Sequence, residues 1–184
     1  MVLSGMFRLG AFALIFNEHG AVLLSHRRDL DIWNLPGGGV EQDESPWEAA
    51  VRETREEVGL VVEIERLAGV YSKPEQSEIV FSFVCRVVGG EMATSPEADE
   101  HRFFPIPALP PNTSPKQVQR IHDAVPSSQQ PVLRDQVGPS TRQLLAGVAC
   151  LLNGGSWWNR WSLGSKNSHR AARRRTVRDS GSIA

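Results

Sequence analysis

Long apolar runs are missing from this sequence, and so are clustered cysteines, internal repeats and an excess of either charge. No run of about 18 apolar residues occurs, so no membrane-spanning helix is expected. The apolar stretch in MVLSGMFRLGAFALIFNEHG is interrupted by Arg8 and passes into alternation and a turn, which is not the pattern of a signal peptide. Cysteine occurs twice, at Cys85 and Cys150. That is too few for a disulfide framework, and the spacing is not that of a metal or redox site. Two buried thiols in a reducing compartment is the plain reading, with the cytoplasm as the expected location. A net charge of -1 over 184 residues argues against nucleic-acid binding through bulk charge. What is present is the composition of a globular domain, 40% hydrophobic and 22% charged, long enough to bury a core unaided.

The charge is unevenly spread. Residues 156–184 hold seven Lys or Arg and one Asp, a net of +6, which leaves -7 on the residues before them. This basic tail also carries Trp157, Trp158 and Trp161. Basic and aromatic residues together permit contact with nucleic acid or with a membrane surface, and a disordered, nonspecific patch is the competing reading. Residues 127–140 read as a linker, 141–152 as a short helix, and most of 160–184 as disordered. The domain division expected is therefore 1–126 followed by an extension over 127–184.

Within the first part, strands are expected at 9–16 and 21–28, with a turn between them and a short extended piece at Trp33 to Leu35. The three glycines Gly37, Gly38 and Gly39 read as loop. A helix is expected from Ser45 or Pro46, with Ser45 as N-cap, Pro46 in the first turn and Glu48 completing a capping box, ending at Gly59. Trp47, Val51, Thr54 and Val58 would form its buried stripe. Strands at 61–71 and 78–88, a turn at Gly89 and Gly90, a strand at 101–106 and a second helix at 116–125 follow, the helix facing inward through Val118, Ile121 and Val125. The order predicts a mixed sheet with helices packed on it.

The first helix carries Glu53, Glu56 and Glu57 on a face turned from that stripe. Glu53 and Glu57 are i,i+4 neighbours, an arrangement that costs a helix about 0.2–0.5 kcal/mol. One account is a solvated acidic face, softened by Arg52, which stands four residues from both Glu48 and Glu56. The other is a carboxylate set for a divalent cation, since Mg²⁺ takes oxygen ligands, commonly one or two carboxylates together with substrate phosphates. The glycines just before the helix favour the second account, because their backbone can approach a ligand closely.

From Gly38 to Leu60 the chain resembles the Nudix hydrolase signature. Gly38, Glu44, Arg52, Glu53, Glu56, Glu57, Gly59 and Leu60 fit, and Thr54 replaces the usual aliphatic residue. The wider resemblance runs over residues 7–126 and leaves out the tail. It implies an α/β fold, a Nudix-type α/β/α sandwich with a mixed β-sheet, and hydrolysis of a pyrophosphate linkage assisted by Mg²⁺ or Mn²⁺. By motif, Glu56 and Glu57 are the main metal ligands, Glu53 a further ligand or water-orienting group, and the Gly38 region a carbonyl donor. Arg52 braces the carboxylates and Glu44 supports the loop. Some relatives place a general base downstream of the motif; Glu97 and Glu100 are the candidates, with Glu100 favoured and a plain loop acid as the competing reading. Relatives are often dimers, although no interface signature is visible.

Substrate signals are thinner. Arg27 or Arg28, with His26 at the end of the second strand, can meet phosphate, with a polar strand end as the competing reading, and so can the backbone at Gly37 and Gly38, with a plain turn as the competing reading. Tyr71, Phe81 and Phe83 either stack on a base or pack in the core. Pro74 lies near the position of a proline common in relatives acting on ADP-ribose, without matching it cleanly. ADP-ribose or a nucleotide sugar is the preferred substrate expectation. A nucleoside triphosphate and a non-catalytic nucleotide-binding module are the alternatives.

Overall fold

Alternation along the first strand sets the layers. In β1 (Arg8–Ile15), Ala11, Ala13 and Ile15 face one side of the sheet and Phe12 and Leu14 the other. Each face buries its own cluster, as a strand covered on both sides requires. The computed structural model describes residues 7–125 and 130–138. The expected helix at 141–152, Cys150 and the basic, tryptophan-containing tail lie outside the described residues.

The other elements are β2 (Val22–Arg27), β3 (Trp33–Asn34), β4 (Gly37–Gly39), α1 (Pro46–Val58), β5 (Leu60–Lys73), β6 (Glu78–Gly90), β7 (Ala98–Phe104), α2 (Pro115–Ala124) and β8 (Val132–Asp135). Among the described residues they build a five-stranded sheet, ordered β4-β1-β6-β5-β8, and a three-stranded sheet, β3-β2-β7. β1 runs parallel to β6 and β5 parallel to β8, while β4 and β6 pair antiparallel with β1 and β5 respectively. The large sheet is mixed. α1 covers the Ala11, Ala13 and Phe83 face, and α2 packs with the small sheet's Leu24 and Trp33 on the Leu14 and Val84 face. The result is the expected α/β/α sandwich.

α1 begins and ends where its caps predict. Ser45 accepts from the Glu48 amide, the Glu48 carboxylate accepts from the Ser45 amide, and Gly59 closes the helix at φ 81°. Its buried stripe differs from the expected one. Ala49, Ala50, Thr54 and Val58 are buried, whereas Trp47 is 57% exposed. Small side chains let the helix lie close to the sheet, and the indole of the first turn stays at the surface. The Thr54 hydroxyl donates to the Ala50 carbonyl at 2.7 Å, which satisfies its polar atom inside the core.

Several expectations are corrected. The glycines read as loop form β4, because their backbone pairs with β1 from Gly10 to Phe12. Gly89 and Gly90 end β6, paired with Val61 and Leu60, instead of making a turn. The strand placed at 101–106 begins earlier, at Ala98, and stops before Pro105, whose ring cannot donate to a ladder. α2 buries Gln117, Arg120, Ile121 and Ala124, and leaves Val125 54% exposed. Its inner face is therefore partly polar, and rotated from the Val118, Ile121, Val125 stripe. Residues 132–135, within the stretch read as linker, form β8 on the free edge of β5.

Candidate active site

Two glycines let the β4 backbone lie close to both of its neighbours, Gly37 to β1 and Gly38 to α1. Gly37 sits at φ 140°, and a Cβ there would stand 2.2 Å from the Ala11 carbonyl oxygen. A Cβ at Gly38 would meet the Glu53 carboxylate at 2.5 Å. Only a bare backbone lets the loop close onto the helix. The Gly37 amide donates to Glu57 at 3.0 Å, so Glu53 and Glu57, one turn apart, both lie against the loop.

Arg52 ties the acids together. Its Nε and Nη2 donate to the two oxygens of Glu44 at 2.8 and 2.9 Å, and Nη2 also to the Gly39 carbonyl at 3.1 Å. Its Nη1 lies between Glu53 at 3.0 Å and Glu56 at 3.1 Å. The bidentate grip on Glu44 holds that carboxyl below its ordinary pKa. Burial works the other way deeper in. It raises the Glu53 carboxyl and pushes Glu57 up to about 7, with the Gly37 hydrogen bond opposing and the Glu53 and Glu97 charges adding. The solvated acidic face is thus the wrong account for Glu53 and Glu57, and the right one for the outer oxygen of Glu56.

A cleft of about 630 Å³ opens beside the loop. Gly37, Gly38, Gly39, Glu57 and Arg27 line it, so these sequence candidates meet in one place. Arg27 is also held by Asp29 through two hydrogen bonds of 2.9 and 2.8 Å. Glu53 and Arg52 lie against the glycine strand without lining the cleft, and three further candidates stand elsewhere. Arg28 donates to the Ser95 carbonyl and lines an adjoining surface depression behind Arg27 and Glu97. Glu100 pairs with Arg102 two residues along β7, on the same face of the strand, away from the cleft. Glu56 lies on the outer side of Arg52, with its side chain 60% exposed. Of the two downstream acids, Glu97 lines the cleft. The aromatic residues offered for base stacking do not provide it: Tyr71 is fully buried, and Phe81 and Phe83 stack on each other with centroids 6.4 Å apart against the α1-side core. Lys73, Lys116 and Arg120 also line the cleft and were missed. Nothing in local periodicity marks Arg120 as buried, since the apolar pattern of α2 shares only Ile121 with the buried face.

The donor set suits a hard cation. Carboxylate and backbone carbonyl oxygens are what Mg²⁺ prefers. Among the described residues no group of three or more His, Cys, Asp or Glu side chains is already gathered as a metal cluster. However, the Arg52 nitrogen between Glu53 and Glu56 shows a positive centre seated between two of these acids. Burial disfavours the charged form of both Glu53 and Glu57, and an added cation would oppose that cost. The residues fit the metal.

An acidic helix capping a glycine strand, on a mixed-sheet α/β/α sandwich, beside a cleft with cationic walls, defines the class of hydrolases that act on phosphoanhydrides with a divalent cation. The NUDIX domain model matches residues 6–124, and the chain belongs to the Nudix hydrolase family. Members of that family typically depend on Mg²⁺. The chain is 35% identical over 119 residues to a Bacillus subtilis (strain 168) protein named "Putative 8-oxo-dGTP diphosphatase", covering 64% of this chain and 80% of that one. It is 42% identical over 103 residues to an ADP-ribose pyrophosphatase of Methanocaldococcus jannaschii, covering 52% and 61%. Among solved structures, an ADP-ribose pyrophosphatase of Streptococcus suis matches with a TM-score of 0.60 at 29% identity, over 71% of this chain and all of that one. No helix of the described residues is long and apolar enough to cross a membrane.

Proposed function

We propose that this chain hydrolyses the pyrophosphate linkage of a nucleoside diphosphate derivative, with ADP-ribose or a nucleotide sugar as the substrate class. The observation that carries the proposal is the pair of half-buried carboxylates, Glu53 and Glu57, set against the bare backbone of Gly37 and Gly38 at a cleft of substrate size. Glu53, Glu56, Glu57 and the Gly38 carbonyl would hold Mg²⁺ (or Mn²⁺). The ion would neutralise phosphate oxygens and acidify a bound water. Arg52 keeps the acids in place, and Arg27 meets a phosphate oxygen from across the cleft. Glu97 is the residue to accept the proton of the attacking water, in the role first given to Glu100, because it lines the cleft. Water oxygen bonds to phosphorus, the bridging P–O bond breaks, and the leaving phosphate departs with the bridging oxygen.

Two relatives named ADP-ribose pyrophosphatases support the substrate class. The Bacillus subtilis relative's name keeps a nucleoside triphosphate as the second reading. All the acids of the motif are present, which weighs against a binding module without turnover. A panel of ADP-ribose, nucleotide sugars, dinucleoside polyphosphates and nucleoside triphosphates, with and without Mg²⁺ and with products weighed, tests this. Metal-dependent cleavage of ADP-ribose or a nucleotide sugar to two monophosphates is the expected result. Cleavage of triphosphates alone moves the assignment to the second reading, and no cleavage at all ends the hydrolase reading for this chain.

A further inference from the structure

The end of the cleft furthest from chemical explanation is the one walled by α2. Arg120 is 1% exposed, yet no carboxylate among the described residues bonds to it. Its Nε and Nη2 both donate to Gln136 Oε1, at 3.1 and 2.8 Å, and its Nη1 reaches Gln117 only at 3.4 Å. The rings of Phe12 and Tyr71 hold the guanidinium, with its carbon 4.9 and 5.3 Å from their centroids. A guanidinium has five N–H donors, so donors remain without a partner. Burying a charge in this way is costly unless something answers it.

Lys116 and Lys73 line the same cleft. Lys116 donates to the Gly138 carbonyl at 3.0 Å, and Lys73 pairs with Glu78 at 2.8 Å. Burial lowers both lysines, and the Arg120 charge lowers them further, as like charges in one small space must. Three cations therefore stand here with the paired carboxylate of Glu78, and the exposed Glu75 adds a weaker negative charge on Lys116. Tyr71 is fully buried, and the Phe12 ring, which lines the cleft, has the Arg120 guanidinium 4.9 Å from its centroid. This end reads negative charge.

We propose that Arg120, Lys116 and Lys73 form an anion subsite for a phosphomonoester that the substrate carries apart from the linkage being hydrolysed. The inference rests on the hydrolase reading for its place in turnover, though the subsite itself does not need it. Phe12 pairs with Gly37 in the β1–β4 register and supports Arg120 through its ring, so the subsite adjoins the glycine strand within one molecule's reach. A dianionic phosphate matches the surplus charge better than a single carboxylate.

The test has two arms on the full chain. In the first, orthophosphate binding is measured in EDTA by calorimetry for wild type, Lys116→Gln and Arg120→Gln. Saturable binding that weakens about tenfold or more in Lys116→Gln supports the subsite. The lysine variant keeps the test valid should the buried arginine variant fail to fold. Binding that is absent in wild type, or unchanged in Lys116→Gln, overturns the subsite. In the second, kcat/KM is measured with Mg²⁺ for NADP against NAD and for coenzyme A against its 3′-dephospho form. The phosphorylated member should lead by about tenfold in at least one pair, and that ratio should fall towards one in Lys116→Gln. Turnover without any such preference, or with the ratio kept in the variant, overturns the subsite and leaves hydrolysis standing. No turnover of any substrate, with phosphate binding still lost in Lys116→Gln, overturns hydrolysis and leaves the subsite standing.

Discussion

Glu57 and Glu97 should separate cleanly from their neighbours in sequence. Glu57→Gln removes a carboxylate that burial already pushes up to about 7, and it can still accept from the Gly37 amide through its side-chain oxygen. We expect kcat to fall by about 100-fold or more, with a melting temperature equal to or above wild type. Steady-state kinetics beside a thermal melt checks this, and near-wild-type turnover would remove Glu57 from the metal set. Glu97→Gln should lower kcat by a similar order while Glu100→Gln, paired with Arg102 outside the cleft, stays near wild type. If the two exchange behaviour, the cleft has been assigned the wrong acid. Arg52 answers to stability as well as activity. Its removal strands the Glu44 and Glu53 carboxylates, whose side chains are only 14% and 16% exposed, and should cost about 1–3 kcal/mol in a urea melt.

At the scale of the element, α1 and α2 were both legible as helices, whereas the inner face of α2 was not, for a physical reason. α1 states its boundaries in its own residues: a serine whose side chain and backbone are both used by Glu48, and a glycine in the left-handed region at its end. Ser45→Ala should therefore cost about 1 kcal/mol, read by chemical denaturation. Gly37→Ala should cost far more, since the new methyl would meet the Ala11 carbonyl at 2.2 Å and force β4 off β1. A variant that keeps both fold and turnover would show that the close approach is dispensable. The motif acids were readable because a helix fixes their mutual spacing, and Thr54 was readable as a core residue because only its methyl needs to pack. The inner face of α2 was hidden. Gln117 and Arg120 count as polar in any periodic pattern, and what buries them is a pair of rings on β1 and β5 and an amide on the chain after β8. Glu97 was passed over for a similar reason. Its position depends on how the loop before β7 meets the end of β2, where the register shifts between His26 and Arg27.

At the scale of the molecule, His26 joins three parts of the small sheet. Its Nε2 meets Asp31 at 3.0 Å and its Nδ1 meets Asp99 at 2.7 Å, which links β2, the turn before β3 and β7. Hydrogen bonds from Asp31 and then Asp99 raise its pKa in the fold. A raised histidine contributes stability that is full below its unfolded value of about 6.5 and is lost as pH climbs through the folded value. The melting temperature of wild type should thus exceed that of His26→Gln most at about pH 5.5, with the gap closing by about pH 8. A gap that widens with pH would reverse the sign and place the neutral ring in the native bridge.

The strand β8 has a consequence in time. It is the last described element, and among the described residues it alone pairs with the outer edge of β5, from Gly69 to Ser72, while Gln136 just beyond it steadies Arg120. During synthesis the ribosome delivers both helices and seven of these eight strands before that edge can close. Until residue 138 has emerged, the nascent sheet offers an open row of amides and carbonyls to any neighbouring chain. A chain stopped after residue 126 should accordingly aggregate on expression, where one stopped after Gly138 stays monodisperse by light scattering. The point at which this protein becomes safe in a crowded cell would then lie a dozen residues past its second helix.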